Sequence, residues 1–167
     1  MSSNGDLQHI YIDTSYIQSF LRPKDEEERW QKKQVRKAIE RAKRNGKIFI
    51  ILPFIVAGEL LNNLNQGDLK RDVKQEIVGE FFEILEDEKV DLKPAKADAL
   101  KLAASIKDQD RLLGDTDLLI TSQALCDIHS VHLLIHDRKI IESEKISDMA
   151  RRMPDRLNEL KISDSIK

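Results

Sequence analysis

A single cysteine, Cys126, stands in this 167-residue chain, so neither an internal disulfide framework nor a Cys-rich zinc site can form. Its apolar neighbourhood (QALCDI) reads as plain burial. Aromatic residues make up only 5%, so a core built from the 40% hydrophobic fraction must be mostly aliphatic. No apolar run suffices for a membrane span: the longest, IFIILPFIVAG at 48–58, is short and interrupted by Pro53. The first residues, MSSNGDLQ, have neither the basic nor the apolar region of a signal peptide. A soluble, cytoplasmic protein with no membrane partner is the expectation. There is also little net charge, −2, and hence no global basic field to announce nucleic acid. The distribution says more: residues 29–44 (RWQKKQVRKAIERAKR) carry eight Lys or Arg against one Glu. A basic stripe lies on an otherwise acidic protein.

Repeats, low-complexity linkers and composition breaks are absent too. What remains is an alternation of strand-like and helix-like segments, the pattern of an α/β domain with a parallel sheet. HIYID at 9–13 is the first expected strand, and SYIQSFL a short helix ending before Pro23. Residues 24–44 read as a long helix, with Val35, Ala38, Ile39 and Ala42 at helical spacing and Asn45-Gly46 as the stop. KIFIIL at 47–52 is the continuous apolar run of a strand covered on both faces. Pro53 opens the next helix, Gly67-Asp68 punctuates, and an amphipathic helix runs to about Glu86. KVDL at 89–92 is a short third strand, and Pro94 opens an alanine-rich helix to about Lys107. A helix capped at Asp115 or Thr116 runs through roughly Ile128. SVHLLIHD at 130–137 is a further buried strand ending in an aspartate. The tail after Ile141 is polar, helix-prone and broken by Pro154; it reads as a peripheral covering.

Four acids stand out by position. Asp13 and Asp137 end strands, and open parallel sheets bind ligands outside the carboxyl ends of their strands. Asp117 lies in the first turn of the helix leading to the Asp137 strand, and Glu59 about two turns into the helix after the second strand. A carboxylate in an apolar context (VAGELL, TDLLI) is costly unless its charge is compensated, and Mg²⁺ or Mn²⁺ suits oxygen ligands.

YIDTS, the GELL segment, TDLLITSQAL and LLIHD come in the order and approximate spacing of PIN-domain ribonucleases, including VapC-type toxins of toxin–antitoxin pairs, and over about residues 8–141 the chain resembles that family. The resemblance implies a three-layer α/β/α domain over 1–145 with a central parallel sheet of four or five strands, and a helical, polar tail over 146–167 packed on or extending from it. It implies a metal-dependent endoribonuclease: Asp13, Glu59, Asp117 and Asp137 would be catalytic and hold one or two Mg²⁺ or Mn²⁺ ions, which lower the pKa of a bound water. Ser15 would donate to phosphate at a helix start, and Thr14 and Asp115 would support the acids from behind. RNA is the implied substrate, with a cognate antitoxin and a second copy of the chain as further partners. One departure is visible: many relatives carry Thr or Ser two residues before the last acid, where this chain has Ile135.

Other readings compete with this one. Asp115, after Gly114, suits a helix cap. Among the histidines at 129, 132 and 136, His132 and His136 would share a strand face but lie roughly 13 Å apart, too far for one ion. The basic helix reads either as a solvated face or, through Arg36, Lys37 and Arg41, as a phosphate-contacting wall beside the active site. A non-catalytic PIN-like module binding RNA or protein is the alternative from another class. A haloacid-dehalogenase site is disfavoured because Asp13-Thr14-Ser15 lacks the second Asp, and a receiver domain because LLIHD ends in an acid.

Overall fold

A computed structural model gives the architecture, and the structure describes residues 7–153 and 158–166. Five strands form one all-parallel sheet in the order β3-β2-β1-β4-β5. They are β1 (Gln8–Ile12), β2 (Ile48–Pro53), β3 (Val90–Lys93), β4 (Ser130–Leu134) and β5 (Lys161–Ser163). Parallel strands need crossovers, and the helices supply them: α1 (Thr14–Leu21), α2 (Glu26–Arg44), α3 (Phe54–Gln66), α4 (Arg71–Leu85), α5 (Ala97–Gln109), α6 (Asp115–Cys126), α7 (Arg138–Ile141) and α8 (Glu144–Arg152). Right-handed crossovers put α1–α4, which step the sheet one way, on one face and the return through α5 and α6 on the other. The result is a three-layer α/β/α domain. Ile10, Ile12, Ile50, Ile51, Leu52, Leu133 and Leu134 are all essentially inaccessible, as a sheet covered on both faces requires.

The chain steps outward from β1 to β2 and β3, then returns to place β4 on the other side of β1. The reversal makes the crevice beyond the carboxyl ends of β1 and β4 the topological switch point. Asp13 follows β1 directly, and its amide still bonds Leu134 O at 3.1 Å. The fold therefore aims Asp13 and the β4 exit at one place.

Several boundaries differ from the sequence reading for local reasons. β1 ends at Ile12, and Asp13 becomes the N-cap of α1. β4 stops at Leu134 rather than at Asp137; Ile135 N still donates to Ser163 O of β5, and His136 N leaves the ladder for Asp13 Oδ2. The alanine-rich helix begins at Ala97, after Pro94, and α6 ends at Cys126, which is half-buried rather than buried. The main correction concerns the tail. Instead of a peripheral covering, residues 161–163 form a fifth strand paired to β4, with His132↔Lys161, Leu133↔Ile162 and Leu134↔Ser163 in register. Leu160 and Ile166 enter the core, Asp164 O accepts from Tyr16 Oη at 2.6 Å, and Ile166 N donates to Gln34 Oε1 at 3.1 Å. Pro154 lies outside the described residues.

Candidate active site

Asp13 is 3% exposed and held by three donors. Its Oδ1 accepts from Tyr16 N at 3.1 Å and Ser15 Oγ at 2.9 Å, and its Oδ2 from His136 N at 3.3 Å. The first bond is an N-cap, satisfying an amide that opens α1. Burial pushes the Asp13 carboxyl up to about 6, against the three hydrogen bonds, with the Glu59 charge pushing the same way. Glu59, on α3, faces the same rim: Thr14 Oγ1 donates to its Oε2. Asp117 is half-buried in the first turn of α6. Its carboxyl is pushed up to about 7, by burial first and then by the charges of Asp13, Asp137 and Glu59 and the hydrogen bond it shares with Asp137. Asp137 caps the short α7 by accepting from Lys139 N at 2.7 Å.

Thus Asp117 feels each of the other three acids, and Asp13 feels Glu59. Among the described residues no Lys, Arg or His forms an ion pair with any of the four. Like charges crowded without a counter-charge raise one another's proton affinity. The donor set is all oxygen and anionic, the chemistry of a hard divalent cation. As they stand, however, no three His, Cys, Asp or Glu side chains among the described residues close into a group able to hold a metal ion. Asp13 meanwhile spends both its oxygens on protein donors.

The remaining expected residues fall differently. Ser15 is committed to Asp13 rather than free to meet a phosphate, whereas Thr14 supports Glu59. Asp115 neither caps α6, where Gly114 is the cap position, nor joins the four; its exposed carboxylate pairs with Lys107 at 2.9 Å. Ile135 points no hydroxyl at the site and is fully buried. The basic wall is not beside the acids. α2 begins at the rim, where Glu27 meets His136 Nε2 at 3.1 Å, and runs back toward β2. Arg36 and Arg41 lie nine and fourteen residues further on, roughly 13 and 21 Å along the axis at the α-helical rise. Lys37 and Arg41 flank Gln8 and Ile48 at the amino ends of β1 and β2, and Arg36 faces Glu80 and Glu83 of α4. The three histidines serve separately: His132 Nε2 pairs with Ser163 Oγ at 2.8 Å, His136 with Glu27, and the His129 ring packs edge-on against His9.

A second polar cluster escaped the sequence reading. Asp127 accepts from Tyr11 Oη at 2.9 Å and lies 2.6 Å from His9 Nδ1. Although burial raises it, the bonds from His9 and His129 N hold its carboxyl well below the usual range. The available signal was that His9 and Tyr11 alternate with Ile10 and Ile12, placing two polar side chains on one buried face, where each needs a partner.

The fold and this constellation define an α/β protein carrying a carboxylate cluster at its switch point. The PIN-domain family model matches residues 10–143, and the chain belongs to that family. Among solved structures it is similar to VapBC2 from Rickettsia felis bound to a DNA fragment from their promoter. That likeness has 16% identity over 92% of this chain and 98% of that one, with a TM-score of 0.58. It is also similar to FitAcB from Neisseria gonorrhoeae, at 19% identity over 77% and 87% of the two chains, with a TM-score of 0.49. No curated protein matches in sequence. Among the described residues no helix is long and apolar enough to cross a membrane.

Proposed function

We propose that this PIN domain is a metal-dependent endoribonuclease, with Asp13, Glu59, Asp117 and Asp137 as the residues that hold Mg²⁺ or Mn²⁺. The observation carrying the reading is Asp117: a carboxyl raised toward neutrality by burial and by three other acids, with none of the four in an ion pair with Lys, Arg or His among the described residues. A divalent ion bound there would supply Lewis acidity and a water of lowered pKa. The chain's own part is positional. Tyr16 N, Ser15 Oγ and His136 N fix Asp13, Thr14 fixes Glu59, and Asp117 shares a hydrogen bond with Asp137.

The test is cleavage of a labelled single-stranded RNA with Mg²⁺ or Mn²⁺, and with chelator. Asp13→Asn and Asp117→Asn should each lower turnover by at least roughly a hundredfold, the scale of losing one charge-stabilising group, while chelator abolishes it. Full activity in Asp117→Asn would end the four-carboxylate reading. One observation favours the non-catalytic alternative, a module that binds without cutting: the acids do not close into a ligand group. Cleavage lost in chelator and restored by Mn²⁺ excludes that alternative.

The toxin form of this reading adds a cognate antitoxin. Its support is a groove of about 470 Å³ between α1, α3 and α4, lined by Leu21, Leu60, Leu64, Leu69 and Ile77, which suits an apolar helical segment. Phe54 and Leu61, exposed on one side of α3, support a homodimer in the same way.

A further inference from the structure

The basic stripe found in the sequence lies on α2 and leads away from the carboxylates. Its residues are not scattered around the helix. At 100° per residue, Trp30, Lys33, Lys37, Arg41 and Arg44 fall within about 80° of arc. All five are exposed, whereas Val35, Ala38 and Ala42 are buried. The only acid in residues 29–44, Glu40, reaches Arg44 at 3.8 Å. Lys33, Lys37 and Arg41 are in no ion pair among the described residues. From Lys33 to Arg44 the charges extend about 17 Å along the axis. At the far end Lys37, Arg41 and Arg44 open onto a hollow of about 610 Å³ shared with Gln8 and Ile166. At the near end, toward the rim, stands Trp30, 37% exposed and the only tryptophan in the chain.

We infer that this face of α2 is a second RNA-binding surface, an exosite that holds the backbone of a single strand remote from the carboxylates. A line of unpaired cations on an otherwise acidic chain fits a polyanion, and an exposed aromatic in the same line gives a base a ring on which to stack. Glu26, Glu27 and Glu28 occupy the turn between the stripe and the rim, so phosphates are attracted beyond that turn and not within it. The two sites are separate, and only RNA long enough to reach both gains from the stripe. RNA as the ligand rests on the nuclease reading above; the separation of the two sites does not.

The experiment compares the wild type with the triple variant Lys33→Gln/Lys37→Gln/Arg41→Gln. Binding of labelled oligouridylates of about 30 and about six nucleotides is measured in chelator across a salt series. Each lost phosphate contact removes ~0.7 from the log–log salt slope for single strands, so the variant's slope should be shallower by about 2. Affinity for the long RNA should fall roughly tenfold or more at low salt, and the six-mer should be unaffected. Trp30 emission should be quenched by the long RNA in the wild type and much less in the variant, whose melting temperature should be unchanged. An unchanged slope, or long RNA binding without quenching Trp30, overturns the inference; capture of an acidic protein segment by the stripe instead would count the same way. Because binding is read in chelator, a protein that uses the stripe but never cuts RNA sinks only the nuclease reading. A protein that cuts RNA with an unchanged slope sinks only the exosite.

Discussion

Asp13 and Asp117 carry a cost that pH can reveal. Both have folded-state pKa values above the ordinary carboxyl value, about 6 and about 7. The native state therefore binds their protons more tightly than the unfolded chain does, and stability falls as pH rises through that window. His132 works oppositely. Burial first, then Lys161 and Arg41, depress it to about 4, so its contribution is lost as pH falls from 6.5 toward 4. The two trends oppose each other below pH 6.5, and wild-type stability alone cannot separate them. Asp117→Asn can, because His132 is common to both proteins. In metal-free protein at pH about 8, the variant should be the more stable by ~1–2 kcal/mol, after discounting for the partial exposure of Asp117. At pH about 4, where Asp117 is protonated in the native state, the gap should close. Urea unfolding at both pH values measures this, and a variant less stable than wild type at pH 8 would mean that Asp117 is structural.

Elements were legible where their own residues decided them. The apolar runs of β1 and β2 are buried on both faces, and the periodicity of α2 between Asp25 and Asn45 matches its cap positions. Asp13 was marked by its place at a strand end and Glu59 and Asp117 by their apolar contexts; Asp13 is buried and the other two are half-buried. β5 was not. Lys161-Ile162-Ser163 has no strand signature of its own, and becomes a strand because β4 offers it an open edge, so tertiary pairing overrides propensity. Asp127 was missed because its role depends on His9 and Tyr11, over a hundred residues away. The arrangement of the C-terminal segment makes Leu160 informative. It is 3% exposed and flanks β5, and Leu160→Ala should cost about 2–5 kcal/mol, as for a core leucine. A peripheral covering would lose less than ~0.5 kcal/mol. Denaturant unfolding at fixed pH separates these values, and the smaller one would remove the C-terminal strand from the structural core.

At the scale of the whole molecule, stability and the carboxylate cluster are linked through any ion that binds there. A ligand that binds only the native state stabilises it by about 2.7 kcal/mol at a hundredfold excess over its dissociation constant, roughly 5–10 °C in melting temperature for a chain of this size. Mn²⁺ added to metal-free wild type should produce a rise of that order, because it relieves the repulsion that Asp13, Glu59 and Asp137 impose on Asp117. Asp117→Asn should begin at a melting temperature equal to or above that of metal-free wild type, and both it and Asp13→Asn should rise much less with Mn²⁺. General screening of surface acids would also raise melting temperatures, so a control must remove an acid elsewhere. Asp115→Asn serves: it is two residues from Asp117, yet its carboxylate is exposed and paired with Lys107. That variant should keep the full Mn²⁺ response. If Asp115→Asn and Asp117→Asn respond alike, the ion is not held by the four acids, and the cluster is a feature of packing rather than of catalysis.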